Sequence, residues 1–560
     1  MLKIENCLDR VASARRTHFW MFLGGLLLLT AIMMFLNPLF PGHDFYFHMT
    51  RFDALIEALQ DGRYPVYIDW KSVNEYGYLN NAFYCDLLLV PFAIIAIFTN
   101  SIFAYKVMIF VITVLTGLFT YHAVSVIIRN NYVAAIGAIL YTFSYYRLLD
   151  LYPRAALGET LSFAFVPFVA LGLYYIISGD YRKWYVIALG YSLLIFTHVI
   201  STVLTFITMI IVMAICYKSF VREPKRLAYL CLAGVVAVLV TAYYLFPMLE
   251  QMASNTFYYT VKPVSDIRFK LNGPYVITQG LFTGIIYSDK FIAGTGVILT
   301  WAVSMRLFVY EKTKQLKIVD IGVIIGLVYI FVTSIFFPWG IFPFSKLGFI
   351  QFPWRFFQFT TLFFAVAGAY YFSCLKTKKR AFAMGSIAVV FTIAMLYFYG
   401  RHYTNNQQQD VTVPQASAEN FYNLQGIEYL PEQFLSIWYA EVRGNQADAG
   451  NEDTQIGDIK KEHGITTCEV LVNRPDIIEL PLTYYKGYSA TVDGKAAEVT
   501  ESWRGLVQLP VEQSGQIEVK YTGTTIQNVS PYITLISVIG LCIYIIISRR
   551  RKPLKQAGNA

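Results

Sequence analysis

The stretch "GHDFYFHMTRFDALIEALQDGRYPV", Gly42 to Val66, places His43, Asp44, His48, Arg51, Asp53 and Glu57 directly after a long apolar run. A carboxylate held at the edge of an apolar phase is partly desolvated, which lifts its pKa toward that of a working general base. Asp44 is the residue best placed for that role, and its plain structural alternative is to cap the helix that follows it. His43 and His48 flank it as candidate substrate contacts. With Asp44 they are also the groups that a divalent metal ion would use, but their spacing matches no standard site, and the sequence leaves any cofactor open.

Further polar groups interrupt apolar runs elsewhere. "LYPRAALGE" carries Arg154 and Glu159, which either pair with each other or face a substrate. His198 breaks an apolar run of about 36 residues and marks a turn or a helix end. In "LGFIQFPWRFFQF", Arg355 offers a planar, permanently charged fork, a natural partner for a phosphate at headgroup depth. Lys262, Arg268 and Lys270 add positive potential nearby. HExxH, a phosphate-cradling Walker loop and GxSxG are all missing, so ATP-driven transport and serine hydrolysis have no support.

The elements that must position these groups follow from composition. The 560 residues are 56% hydrophobic and only 14% charged, outside the range of soluble globular chains. Apolar runs of about 18 residues or more, each able to cross a hydrocarbon layer of roughly 30 Å, recur from Phe19 to Gly400 and again at Tyr532 to Ser548. The first run follows Arg10, Arg15 and Arg16 and reads as a retained span. The net charge of +9 resides in clusters between runs, where it sets orientation, so no nucleic-acid partner is expected. Seven cysteines without a CxxC pair argue against a disulfide framework or a zinc site.

With Lys and Arg clusters on the cytoplasmic side, the runs alternate without conflict only if Cys85 to Phe98, which contains Pro91, lies in the interface rather than crossing. About twelve spans result, with both termini inside. The expected organisation is a transmembrane domain at 1–400 with a catalytic first outer loop at 38–101, a β-rich extracytoplasmic domain at 401–530, a final span at 531–548 and a basic cytoplasmic tail at 549–560. Apolar residues at Phe45, Met49, Phe52, Ile56 and Leu59 predict an amphipathic helix on the outer membrane surface, closed near Gly62. Asp493-Gly494 in "YSATVDGKAAEV" predicts a two-residue hairpin, and "GQIEVKYTG" alternates as a strand.

An acidic residue in a first outer loop, followed by an interfacial helix and a second interfacial stretch, resembles the GT-C class of polytopic membrane glycosyltransferases. "HDFYFHMTRF", "YPRAALGE", "FTHVIS" and "QFPWRF" resemble bacterial YfhO-type and related membrane proteins of that class, as does the end segment "LPLTYYKGYSATVDGKAAEV" with "GQIEVKYTG". The resemblance implies transfer of a sugar from a polyprenyl-phosphate donor to a cell-envelope acceptor, such as a teichoic acid or another surface glycan, on the outer face of the bacterial plasma membrane. It implies Asp44 as the catalytic residue and partner proteins that synthesise and flip the donor; His43, His48, Arg154, Glu159, His198 and Arg355 are the candidate substrate contacts that the residues themselves offer. The competing readings are a transporter or flippase of a lipid-linked glycan, and a non-catalytic envelope scaffold. A transporter would place ionisable residues and broken helices at mid-membrane, whereas here they collect at one face.

Overall fold

The computed structural model describes residues 15–37, 42–261, 267–284, 292–375, 377–406, 427–462 and 464–549. Arg10, residues 38–41 of the first loop, Lys262, residues 407–426 of the hydrophilic segment and residues 550–560 of the basic tail lie outside the described residues.

Among the described residues, six helices are long and apolar enough to cross a membrane: Thr17–Leu36, Ser101–Ile127, Leu157–Ile177, Lys314–Val332, Lys378–Phe398 and Thr525–Ser548. A seventh crossing results if Lys225–Val240 and Ala242–Ser254, bent by 77° at Thr241, count as one. The chain is a multi-pass helical membrane protein with a C-terminal β domain. Other runs counted toward twelve spans fold as shorter helices. Asn131–Thr142 has 12 residues, Tyr185–Thr197 has 13, and Val199–Ile215 and Phe357–Ser373 have 17 each. At 1.5 Å per residue, the shortest of these reaches about 18 Å, well short of the roughly 30 Å of a hydrocarbon core. The physical reason lies in the breaks: Phe143, His198 and Thr241 each close a helix inside what reads as an apolar run. The stretch around Pro91 forms a nine-residue helix, Val90–Phe98, packed on Ser101–Ile127.

The most enclosed span, Leu157–Ile177, packs against Ser101–Ile127 and Tyr185–Thr197. Phe357–Ser373 lies among Lys314–Val332, Asn131–Thr142 and Gly296–Ser304. Leu161, Phe163, Ile187, Phe359 and Phe364 belong to one continuous apolar core. That core holds the starts of the two helices that carry Glu159 and follow Arg355 in fixed relation.

The helix Phe45–Gln60 departs from its expected place on an open membrane surface. Phe45, Met49, Phe52 and Leu55 join the bundle core, but Phe47 joins a second cluster with Tyr76, Leu430 and Leu506, and Arg51 is buried against Asp86 at 3.1 Å. His48 and Arg51 on its polar face are covered by Tyr84 and Asp86 of the following loop, while the Glu57 side chain and Gln60 farther along stay exposed.

The β domain comprises β1 (Asp448–Ala449), β2 (Gln455–Ile456), β3 (Lys460–Glu462), β4 (Ile465–Leu471), β5 (Asp476–Thr483), β6 (Tyr488–Val492), β7 (Lys495–Ala497), β8 (Thr500–Glu501), β9 (Leu506–Val511) and β10 (Gly515–Tyr521). One antiparallel sheet has the order β1-β5-β9-β8. The other has β2-β4-β10-β6-β7, with β3 also on β4. Alternate residues such as Val470, Ile478, Leu480, Leu509, Ile517 and Val519 fill the core between them. Asp493 and Gly494 both take left-handed φ, 48° and 75°, and Val492 pairs with Lys495 across them, the backbone that a two-residue hairpin requires.

This domain is fastened to the first loop. The Tyr76 hydroxyl donates to Gly444 O at 2.8 Å, Asn74 Nδ2 to Ala440 O at 3.1 Å, and Thr483 N to Tyr76 O at 2.8 Å. Val73, Asn74 and Glu75 hold consecutive left-handed φ of 58°, 55° and 62° at this junction, a conformation that persists only where its surroundings enforce it.

Candidate active site

Asp44 occupies the N-cap position of Phe45–Gln60, yet its side chain makes no capping hydrogen bond. The turn around it is held instead through its backbone, with His43 N donating to Pro153 O at 3.0 Å and Asp44 N to Arg154 O at 2.8 Å. Gly42 permits this seating, because a Cβ there would stand 2.2 Å from Tyr152 O. The first loop is thus stitched along the "LYPRAALGE" turn, and the Asp44 carboxylate is left unengaged by any hydrogen bond or ion pair among the described residues. Burial raises its pKa above the usual aspartate range, opposed by the charges of Arg154, Arg355 and His43.

The cations near Asp44 are themselves anchored. Arg154 Nη1 donates to Asp150 and, at 2.8 Å, to Glu159 Oε2. The same Glu159 oxygen accepts from Arg355 Nε at 3.2 Å, and the Tyr146 hydroxyl donates to Glu159 Oε1 at 2.8 Å. Arg355 Nη1 continues to Ile350 O at 2.8 Å and Gln351 Oε1 at 3.2 Å. Among the described residues, Nη2 of Arg154 and Nη2 of Arg355 donate to no protein acceptor. The Phe352 ring gathers three cations, with Arg355, Arg154 and Lys270 at 5.1, 5.9 and 5.2 Å from its centre. Ala155 and Gln351, with left-handed φ of 50° and 63°, adjoin Arg154 and receive Arg355, so backbone strain brackets both.

His198 closes the seam from behind. Its Nδ1 accepts from Ser201 N at 3.2 Å and so caps Val199–Ile215. Its ring lies against Gly158, where a Cβ would stand 3.3 Å from Cδ2 and 2.9 Å from Thr197 O. His43 is exposed beside Asp44. His48 differs from its neighbours: it is buried, its Nδ1 faces Arg51 Nη1 at 3.4 Å, and Phe47 and Tyr84 enclose it. Burial and the Arg51 charge hold His48 well below the usual histidine pKa, keeping it neutral. Among the described residues no group of three or more His, Cys, Asp or Glu is arranged to hold a metal ion.

The arrangement therefore brings Asp44, Arg154, Glu159, His198 and Arg355 to one end of the bundle. It offers one unengaged carboxylate beside guanidinium groups with donors to spare, which is the equipment for removing a proton near a departing anion.

No family model matches the sequence, and no curated protein matches it. Among solved structures, the arabinofuranosyltransferase AftD from Mycobacteria, known from single-particle cryo-EM, is similar over 73% of this chain at 15% identity, with a TM-score of 0.47. This chain spans only 28% of that protein's length. At that score the functional reading rests on the site's own geometry.

Four participants were missed by sequence reading. Asp150 stands four residues before Arg154 on the preceding helix, a spacing that could have exposed it. Tyr146 stands one turn before Asp150, and the same helical reading would have found it. Tyr84 and Glu428 had no local signal. Tyr84 packs on Phe47, His48 and Tyr429, at 5.2, 5.8 and 5.9 Å, and so brings the neighbouring Glu428 toward Asp44. Burial, reinforced by the Asp44 charge, lifts Glu428 to a pKa of about 7.

Proposed function

We propose that this protein is a GT-C-type membrane glycosyltransferase of the YfhO-like kind, which passes a sugar from a polyprenyl-phosphate donor to a cell-envelope glycan on the outer face of the membrane. The observation that supports it is the unengaged Asp44 carboxylate set against the cations of the Phe352 ring.

In this reading Asp44 takes the proton from an acceptor hydroxyl as that oxygen attacks the anomeric carbon from the face opposite the leaving group. Positive charge develops on the sugar ring, and the bond to the lipid phosphate breaks. The departing phosphate keeps both electrons of that bond and meets the free Nη2 groups of Arg154 and Arg355 together with Lys270, so it needs no acid. Glu159 holds the two arginines at a fixed separation and is a positioning residue. Lipid access through the bilayer explains a site built where spans end. The β domain, docked on the first loop, stands where a polymer acceptor would approach.

The test uses full-length protein in nanodiscs with a polyprenyl-phosphate sugar and envelope polymer. Wild type should release polyprenyl phosphate and label the polymer, and Asp44→Asn should lower the rate by about 10²–10⁴-fold without altering expression or membrane insertion. Full activity in Asp44→Asn would remove Asp44 from the mechanism. Movement of the donor across vesicles with no polymer labelled would favour the flippase reading.

A further inference from the structure

A cleft of about 540 Å³ opens between the first loop and the C-terminal end of the β domain, away from the cation seam. Tyr64, Tyr67 and Trp70 form the loop wall, and Tyr521, Gln527 and Tyr532 form the wall from β10 and the final helix. The aromatic rings are mutually braced: Tyr67 lies 6.5 Å from Tyr521, and Tyr488 stands edge-on to both Trp70 and Tyr521 at 6.3 and 5.3 Å. Against the same Tyr64–Tyr67 segment lies an inner recess of about 20 Å³, room for one hydroxyl-sized group, lined by Asn81 and Asp86.

The polar atoms of this region are the informative ones. Asn81 is 4% exposed, and among the described residues neither its Nδ2 nor its Oδ1 has a hydrogen-bond partner; the buried Tyr67 hydroxyl has none there either. A buried polar group left unpaired is costly, so their presence here points to a ligand that completes them. The charges are already matched, with Arg63 on Asp61 at 2.7 Å, Lys520 on Glu518 at 3.5 Å and Arg51 on Asp86 at 3.1 Å. What remains unpaired is the Asn81 amide and the Tyr67 phenol beside flat aromatic faces, together with Nε of Arg63, whose Nη2 is held by Asp61. That is the lining for a hydroxyl-rich ring with an apolar face, and it differs from the cationic lining that a phosphate requires.

We infer that the cleft between the first loop and the β domain is a glycan-binding subsite, with Trp70 and Tyr521 as its stacking walls, Tyr67 as its hydroxyl-recognising group, and Asn81 in the adjoining recess behind Tyr67. Resting on the transferase reading, it holds the acceptor chain at a distance from the reacting carboxylate.

The experiment measures binding of envelope polysaccharide, purified from source cells lacking this protein, to the full-length protein in nanodiscs. Asn81→Leu and Tyr67→Phe each remove an unpaired buried polar group, so both variants should melt at or above the wild-type temperature. Both should nevertheless bind the polysaccharide at least tenfold more weakly. Unchanged binding in both variants overturns the proposal, as does wild type that binds no polysaccharide. Loss of polyprenyl-phosphate binding in place of polysaccharide binding also overturns it and makes the cleft a lipid site. If wild type binds polysaccharide through these residues but turns over no sugar donor, the transferase reading falls and the cleft stands.

Discussion

The turn that carries Asp44 and the helix start that carries Glu159 lie at the same end of the bundle, and their carboxylates are treated in opposite ways. Glu159 is 1% exposed and accepts from Arg154, Arg355 and Tyr146. Asp44 has its backbone pinned while its carboxylate is left unengaged among the described residues. A carboxylate with both oxygens committed is a structural element, because moving a proton or a substrate onto it would break the network. A carboxylate held in place only through its main chain keeps its chemistry available.

The largest expected effect separates the two by stability. Glu159→Ala leaves two buried guanidinium groups facing each other and should cost about 3–5 kcal/mol, read as a large fall in melting temperature of the purified protein. Asp44→Ala should stay within about 0.5 kcal/mol of wild type. Equal losses in the two variants would erase the distinction. Next in size, Arg355→Lys keeps the charge but loses the fork, and donor turnover should fall about tenfold while the fold survives.

The third prediction concerns pH. Asp44 works as a base only when ionised, and burial raises its pKa, so the rate should fall as pH drops through a value above the ordinary aspartate range. His43 lowers that pKa when charged, so His43→Gln should move the acid limb of the profile to higher pH. An unmoved limb would place the titrating group elsewhere, with Glu428, at about 7, the next group to change. Smallest is the fastening of the β domain: Tyr76→Phe removes the hydrogen bond to Gly444 O and should lower stability by about 1 kcal/mol, with turnover near wild type.

Much of this end of the molecule was legible in the sequence because its signals are local. The helix beginning after Asp44, the Asp493-Gly494 hairpin and the polar interruptions at Arg154, His198 and Arg355 are all set by neighbours within a few residues. What stayed hidden depends on distant partners. Arg355 and Glu159 are 196 positions apart, and Tyr78 reaches the backbone of Tyr429 across 351. The burial of Arg51 follows from Asp86, 35 positions on, and from the Tyr84 ring over its guanidinium, and no periodicity reports that. The number of spans is hard to read for a related reason: apolar runs report burial, and a run broken at Phe143 or Thr241 is as apolar as one that crosses.

The central claim is that Asp44 is the reactive carboxylate of a sugar transfer. Mass spectrometry of lipids and envelope glycans from cells carrying wild type, a deletion and Asp44→Asn tests it most directly. The deletion and the point variant should both lose one sugar from an envelope polymer and accumulate the polyprenyl-phosphate sugar. If the deletion loses that sugar and Asp44→Asn retains it, Asp44 is only the first residue of an enclosed helix, and the base lies elsewhere.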